Sequence, residues 1–323
     1  MNRFQRWALA TTFATYVLIM VGGMVRASGA GLGCPDWPKC FDRYYPPLTA
    51  SQVPDTIDAS KFDFQLAWTE YTNRMVGVIV GLLIIGTLFH AFKSYRKQPR
   101  VFYPTLGAFI LVLIEGWLGG VLVKHELQPW HITLHMLMAL VIVSLLLYAT
   151  ISAFFPQLET NLTRDKRRLN WLVMGVLALT LIQISFGTEM RGSLEIIEKD
   201  NPSLARADWI GEVGLIDQVH RSFSWLVLFG VLAIDFVAHR RLTVKIDRLQ
   251  WAARVSTLLV FVQIFAGIGL AYAGLPPTLQ VVHLVSASLM VGSLMVVYVL
   301  NNRVPVQRQG NIPTHPTLQS QTA

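Results

Sequence analysis

Residues 130–155 read WHITLHMLMALVIVSLLLYATISAFF, and this stretch contains no Asp, Glu, Lys or Arg. An α-helix rises about 1.5 Å per residue, and about 20 apolar residues cross the hydrocarbon core of a bilayer. The stretch is therefore long enough and apolar enough to be a transmembrane helix. His131 and His135 lie near its start.

Similar apolar runs recur along the chain and predict an all-α integral membrane protein. Only 14% of the 323 residues are charged, whereas a soluble domain usually has about 25%. The first run is predicted to be a membrane helix, because no small-residue cleavage site follows a short apolar core. The eight predicted spans, numbered in chain order, cover about residues 7–27, 64–92, 101–123, 130–155, 170–190, 213–238, 250–272 and 279–300.

Basic residues are concentrated in alternate loops. The loops after spans 2, 4 and 6 are rich in Lys and Arg, whereas the intervening loops are acidic, mixed or short. The positive-inside rule then places both termini in the cytoplasm. The net charge of +8 is explained by these short loops, so we predict no nucleic-acid partner. The Pro-containing tail from about residue 302 is predicted to be disordered.

A pattern of polar residues occurs twice within the apolar spans. Span 2 contains EYTNR at residues 70–74, and span 6 contains DQVHR at residues 217–221. In each, an acid precedes a polar residue by three positions, and an arginine follows directly. His220 lies 147 residues after Asn73.

A second pair of positions repeats at nearly the same offset. His283 lies 148 residues after His135, and a proline stands six residues before each histidine. We therefore predict two four-helix halves in the same orientation, residues 1–155 and 156–323. Because spans 2, 4, 6 and 8 cross in one direction, the repeated polar positions are expected at one depth, toward the outer face.

His220 and His283 predict a heme site in the second half. Two imidazoles on facing helices can ligate a heme iron from both sides. The alternative is a pair of hydrogen-bonded core histidines. Arg74 and Arg221, each next to a repeated position, are candidates for binding heme propionates, or they extend to the membrane interface. The same alternatives apply to Arg26 and Arg191, at outer helix ends.

The first half has a different set of residues at the repeated positions. Asn73 stands opposite His135, and Asn is a poor ligand of heme iron, so this site would keep one iron position open. Glu70, one turn before Asn73, is a candidate for proton transfer, and it can also pair with Arg74 on the same helix face. Glu115 in span 3 corresponds to Gln263 in span 7 and belongs either to this pocket or to a helix–helix hydrogen bond.

The two cysteines of the chain, Cys34 and Cys40, lie in the loop after span 1. That loop is predicted to be outside, where an oxidising environment favours a disulfide. A zinc site is less favoured because no clear second pair of ligands accompanies them. The pair is either a loop staple or part of a redox or heme-handling function.

These segments resemble the heme A synthase family. The resemblance is carried by EYTNR, DQVHR, the Pro-Trp before His135, and two further segments, GLGCPDWPKC at 31–40 and LQVVHL at 279–284. It implies a membrane enzyme that oxidises one ring methyl of heme O to a formyl group, giving heme A for terminal oxidases.

The resemblance also implies cofactors and partners. Heme b is expected between His220 and His283, and the substrate heme O at His135, with Glu70 essential for catalysis. A disulfide between Cys34 and Cys40 is implied, as is a homo-oligomer. We expect the protein to lie in a bacterial cytoplasmic membrane and to receive heme O from the enzyme that makes it, heme O synthase. The identity of the electron donor is unknown.

One residue departs from the family pattern. Span 2 usually carries a histidine where this chain has Asn73. Either His135 suffices, with Asn73 hydrogen-bonding a distal water or oxygen species, or the chain no longer makes heme A. The presence of Glu70, Arg74 and His135 favours the first interpretation. The alternatives are a heme b-binding electron carrier, a heme chaperone and, less favoured, a transporter.

Overall fold

A computed structural model of the protein describes residues 1–159, 161–242 and 246–303. Within these ranges the regular secondary structure is helical, which confirms the all-α class. Most of the tail that was predicted to be disordered lies outside the described residues. Its first two residues, Asn302 and Arg303, are described, and Arg303 is buried.

The described chain forms eight long α-helices and one short α-helix. All but the short one are long and apolar enough to cross a membrane, which confirms the eight predicted spans. Spans 6, 7 and 8 correspond to α7, α8 and α9. The helices are α1 (Arg3–Ala27), α2 (Phe64–Tyr95), α3 (Pro99–Lys124), α4 (Pro129–Phe154), α5 (Arg164–Asp200), the short α6 (Trp209–Glu212), α7 (Leu215–Arg240), α8 (Asp247–Tyr272) and α9 (Pro277–Asn301).

Prolines fix the starts of the two helices that carry His135 and His283. Pro129 is the first residue of α4, and Pro277 is the first residue of α9. Proline suits the first helical position, where its fixed φ is helical and its missing N–H costs nothing. Each histidine follows its proline by six residues. The two imidazoles therefore project from equivalent positions, less than two turns into their helices.

Helix α5 is longer than the sequence predicted. The predicted span covered about 170–190, whereas the helix runs for 37 residues, which corresponds to about 55 Å and exceeds the bilayer core of about 30 Å. Glu195 and Glu198, expected in a loop, are helical. Hydropathy marks only the part of a helix that suits lipid, and charged residues with good helix propensity continue it beyond that part.

The helices pack in the same order in both sets of four. Helix α1 packs on α2, α2 on α3, α3 on α4, and α4 returns to α1. Likewise α5 packs on α7, α7 on α8, α8 on α9, and α9 returns to α5. In each bundle the helices that carry the repeated polar positions, α2 with α4 and α7 with α9, thus lie diagonally opposite. A duplicated unit would pack in this way; the division into two halves stays a prediction.

Helix α9 joins the two bundles, because it also packs on α1 and α4. Gly292 permits a close approach to α1: a Cβ built there would lie 1.9 Å from the Tyr16 hydroxyl oxygen. Separately, α4 and α5 are linked near the start of α4 by the hydroxyls of Thr133 and Thr188, 2.6 Å apart.

The end of α9 is held by hydrogen bonds to two other helices. The Asn301 amide donates to the Lys166 carbonyl at 2.8 Å and to Asn170 Oδ1 at 2.9 Å, both on α5. Arg303 Nη2 donates to Ser152 Oγ on α4 at 2.5 Å. The last span is therefore anchored along its length and at its end.

Candidate functional site

The second bundle brings His220 and His283 together. Their ring centroids lie 6.4 Å apart, with 60° between the ring planes. An imidazole nitrogen binds a transition metal at roughly 2 Å and lies roughly 1 Å from its own ring centre, so two imidazoles on opposite sides of one metal have centroids roughly 6 Å apart. The observed separation thus fits a single iron between the two histidines.

Two glycines lie beside these imidazoles. A Cβ at Gly187 on α5 would come 3.1 Å from His220 Cε1, and one at Gly267 on α8 would come 3.6 Å from His283 Cε1. Both helices thus leave space where a side chain would crowd the rings.

Two glutamines fix the backbone of the histidine-bearing helices. Gln183 on α5 donates to the His220 carbonyl at 2.8 Å. Gln263 on α8 donates to the His283 carbonyl and, at 2.7 Å, to Ser286 Oγ. Sequence reasoning gave neither glutamine this function. An amide inside an apolar span is expensive unless it is bonded, and that signal could have identified both.

The acid–arginine pairs of the two repeated motifs form salt bridges one helical turn apart. Arg74 Nη2 lies 2.5 Å from Glu70 Oε1 on α2, and Arg221 Nε lies 2.7 Å from Asp217 Oδ1 on α7. The pairing considered for Glu70 is thus present. The two pairs differ in burial: the Arg74 side chain is 11% exposed, and that of Arg221 is 45% exposed.

The Glu70–Arg74 pair also holds the cysteine loop. The second carboxylate oxygen of Glu70 accepts the Cys34 N–H at 2.8 Å. Arg74 Nη1 donates to the carbonyls of Asp36 at 2.9 Å and Lys39 at 2.7 Å. Glu70 itself is only 4% exposed. This buried pair therefore connects the cysteine loop to α2 through three hydrogen bonds.

A disulfide closes the cysteine loop, which confirms the predicted Cys34–Cys40 pairing. Just before it, Gly33 lies directly on the backbone of α2: a Cβ there would be 2.3 Å from the Leu66 carbonyl oxygen. Both cysteines are fully buried. The loop is thus a packed cover on the N-terminal end of α2.

Asn73 and His135 lie on the diagonal helices of the first bundle. Within the described residues, the Asn73 amide oxygen is buried and accepts no hydrogen bond. It lies 3.8 Å from the position of a Cβ at Gly22 on α1. His135 Nδ1 lies 3.3 Å from Glu115 Oε1 on α3. Of the three predicted catalytic residues, Glu70 is thus bonded to the cysteine loop, Asn73 lies near Gly22 on α1, and His135 lies beside Glu115.

Arg26 and Arg191 share one carboxylate between the bundles. Arg26 Nη2 on α1 lies 3.5 Å from Glu195 Oε1, and Arg191 Nε lies 3.3 Å from the same oxygen. Both arginine side chains are less than one-fifth exposed. Glu195 therefore gives both arginines a partner within the protein, and the cluster connects α1 to α5.

The family model described as "Cytochrome oxidase assembly protein" (COX15-CtaA) matches residues 5–295. The chain belongs to this family. The match extends from α1 to α9 and therefore includes every candidate site residue in both bundles. It confirms the resemblance that the sequence motifs indicated.

Individual relatives are similar over most of their length. The heme A synthase of Flavobacterium johnsoniae is 23% identical, over 89% of this chain and 94% of the relative. That of Shewanella oneidensis is 26% identical, over 79% and 76% respectively. That of Pelagibacter ubique is 21% identical, over 93% and 97%. Relatives named heme A synthase are thus similar to this chain over three quarters or more of their length.

Proposed function

We propose that this protein is a heme A synthase, a multi-pass membrane oxidoreductase that converts one methyl group of heme O to a formyl group. The observation that supports this best is the difference between its two bundles. The second has two histidines spaced for one iron, and the first has a single histidine at the corresponding position, with the carboxylate of Glu115 beside it. The family membership and the names of the relatives agree with this function.

His220 and His283 would hold heme b in the second bundle. A heme with both axial positions filled by protein supplies electron transfer rather than substrate binding. Gln183 and Gln263 fix the backbone of the two ligands. Arg221, next to His220, is the proposed partner of a propionate, and its partial exposure leaves its remaining nitrogens accessible.

His135 would bind the substrate heme O in the first bundle from one side. On the other side, Asn73 offers a buried amide that can hydrogen-bond a water molecule but does not block the open position. Glu70 keeps the cysteine loop seated on α2 and is the proposed proton-exchanging carboxylate, with Arg74 holding it in place. The first bundle would thus supply one iron ligand, His135, one open iron position, and Glu70 as the proton-exchanging acid.

The proposal includes the surroundings of the enzyme. We place residues 1–155 around the substrate and 156–323 around heme b, with both sites toward the outer face of a bacterial cytoplasmic membrane and both termini in the cytoplasm. Heme O would come from its synthase. A homo-oligomer and an electron donor of unknown identity complete the proposal.

Heme analysis of the purified protein tests this function. The chain is expressed together with a heme O source in a host that lacks its own heme A synthase, and the extracted hemes are separated by chromatography. We expect heme A to appear only when the chain is present. Bound heme b without any heme A would contradict the synthase and would instead indicate an electron carrier or a heme chaperone.

A further inference from the structure

Glu115 is a buried carboxylate to which the proposed conversion of heme O assigns no function. It is the one charged residue among residues 101–123, within α3. Its side chain is 13% exposed, and neither carboxylate oxygen has a hydrogen-bond partner in the described part of the chain. A carboxylate inside a membrane span is costly and indicates a function.

The polar group nearest to this carboxylate is the imidazole of His135. Glu115 Oε1 and His135 Nδ1 are 3.3 Å apart. They do not form a hydrogen bond with each other, and Nδ1 likewise has no bond to any residue that the structure describes. Two buried polar atoms that lack partners thus lie in contact, and a small rotation of either side chain would align them.

The second bundle shows what the corresponding position does when it is not an acid. Gln263 lies 148 residues after Glu115, as His283 lies after His135. Its amide N–H group donates to the His283 carbonyl and to Ser286 Oγ. A carboxylate has no N–H to donate, so Glu115 cannot reproduce these bonds. It can only accept, and the donor beside it is the His135 ring.

A carboxylate on the far nitrogen of a metal-binding histidine has a known physical effect. It holds the proton on that nitrogen, turns the other nitrogen toward the metal and makes the imidazole a stronger donor. For His135 the proton would sit on Nδ1, and Nε2 would face the iron. This effect matters most in the first bundle, where Asn73 leaves His135 as the only strong ligand.

We propose that Glu115 is a positioning residue of the substrate site, which accepts the Nδ1–H of His135 and strengthens it as the single ligand of the substrate heme. The inference rests on the proposed function, because it assigns the substrate heme to His135. It deepens that function by explaining how one histidine can suffice. Glu115 acts through His135 and touches neither the substrate nor the reacting methyl group.

Three variants test this inference: Glu115→Gln, Glu115→Asp, and Glu198→Gln as a charge-matched control. Glu198 is exposed on the outer part of α5, away from both sites. Each protein is loaded with heme O by co-expression. The readouts are the iron–histidine vibration of the reduced first-site heme, its midpoint potential, and the yield of heme A.

Glu115→Gln should lower the iron–histidine frequency and make the first-site potential more positive, because the imidazole becomes a weaker donor. Heme A formation should fall about 10- to 100-fold, as for other partners of metal ligands. The low-spin spectrum of the second site should stay unchanged, which shows that the variant is folded. Glu115→Asp should restore part of the frequency, and Glu198→Gln should behave as wild type.

A wild-type vibration and potential in a folded Glu115→Gln protein would overturn the inference. So would Glu115→Asp behaving no better than Glu115→Gln. The vibration requires heme O bound at His135 but not its oxidation. Wild-type protein that binds heme O and never makes heme A would therefore contradict the proposed synthase, while the comparison of variants would still decide the function of Glu115.

Discussion

Two buried carboxylates in the first bundle have opposite surroundings. Both oxygens of Glu70 are bonded, one to Arg74 and one to the Cys34 N–H. Glu115 has no hydrogen-bond partner among the described residues, and its carboxylate contacts the ring of His135. Burial makes a bonded carboxylate a fixed structural connection, whereas it leaves an unbonded one available to a ligand. The two acids are therefore expected to respond differently to the same Glu-to-Gln change.

For Glu70, replacement by Gln should stop heme A formation while heme b stays bound. The amide would present an N–H group to Arg74 or to the Cys34 N–H, so one of these bonds is lost and a donor is left facing a donor. Heme A and heme b are measured by chromatography after co-expression with a heme O source. Full synthase activity in Glu70→Gln would contradict the function assigned to this residue.

For the second bundle, His283→Ala should abolish the low-spin spectrum of a heme with two histidine ligands. The 6.4 Å spacing of the two rings allows one iron to bind both, and the variant removes one ligand. The control is His239→Ala. His239 lies at the C-terminal end of α7, far along the helix from His220, and contacts Asp235. The ligand assignment fails if the absorption spectrum of His283→Ala matches that of the wild type.

For individual residues, the sequence indicated which side chains belong to the sites better than it indicated which contacts they make. The Glu70–Arg74 pair follows from helical spacing, and the structure contains it. The bonds from this pair to the cysteine loop could not be predicted, because they depend on how a loop folds back onto α2. The approach of Glu115 to His135 likewise depends on the packing of α3 against α4, which no periodicity specifies.

Among the elements, the cysteine loop is the one fixed most closely to a helix. Gly33 brings the loop backbone against the first turn of α2. The Glu70–Arg74 pair, further along α2, forms hydrogen bonds to the same loop. The loop and the N-terminal end of α2 are therefore expected to behave as one unit. A change that lifts the loop should also release the carboxylate of Glu70.

Gly33→Ala should separate this loop from α2, because the added Cβ would lie 2.3 Å from the Leu66 carbonyl oxygen. Overpacking of this kind typically costs about 1–3 kcal/mol. We expect a lower thermal midpoint for the detergent-solubilised protein and a loss of heme A formation. The control is Gly81→Ala on α2, because a Cβ at Gly81 meets nothing within 4 Å. Equal midpoints for the two variants would refute the close fit.

The number and type of the helices could be predicted because apolar runs of sufficient length have few alternatives in a membrane. The ends were less predictable. The predicted start and end of α5 were wrong by several residues, since its charged ends continue the helix outside the apolar run. The short α6 was also not predicted, because four residues carry no periodic signal.

Across the whole molecule, the two bundles meet mainly through α9. This helix packs on α1 and α4 of the first bundle and on α5 and α8 of the second. Its small residues permit this, since Gly292 leaves room for the Tyr16 hydroxyl. The sequence indicated a repeat but not how its copies join, because the joining surfaces are apolar on every side.

Gly292→Ala should weaken this junction, because its Cβ would come 1.9 Å from the Tyr16 hydroxyl oxygen. Adding Tyr16→Phe removes that oxygen and should recover part of the loss, so the two changes are expected to be non-additive. Thermal unfolding of the two single variants and the double variant measures this coupling. A double variant that is less stable than Gly292→Ala alone would contradict the contact.

The position of α9 also sets an order of assembly. Membrane proteins are made from the N-terminus, and α9 is the last of the eight spans to leave the ribosome. Until it inserts, α1 and α4 present to lipid, or to the insertion machinery, the surface that α9 later covers. Because His283 lies on α9, the proposed heme b site is also completed only at that moment. Synthesis of this one span therefore completes the second bundle, covers one side of the first, and marks the earliest time at which both proposed ligands of heme b are present.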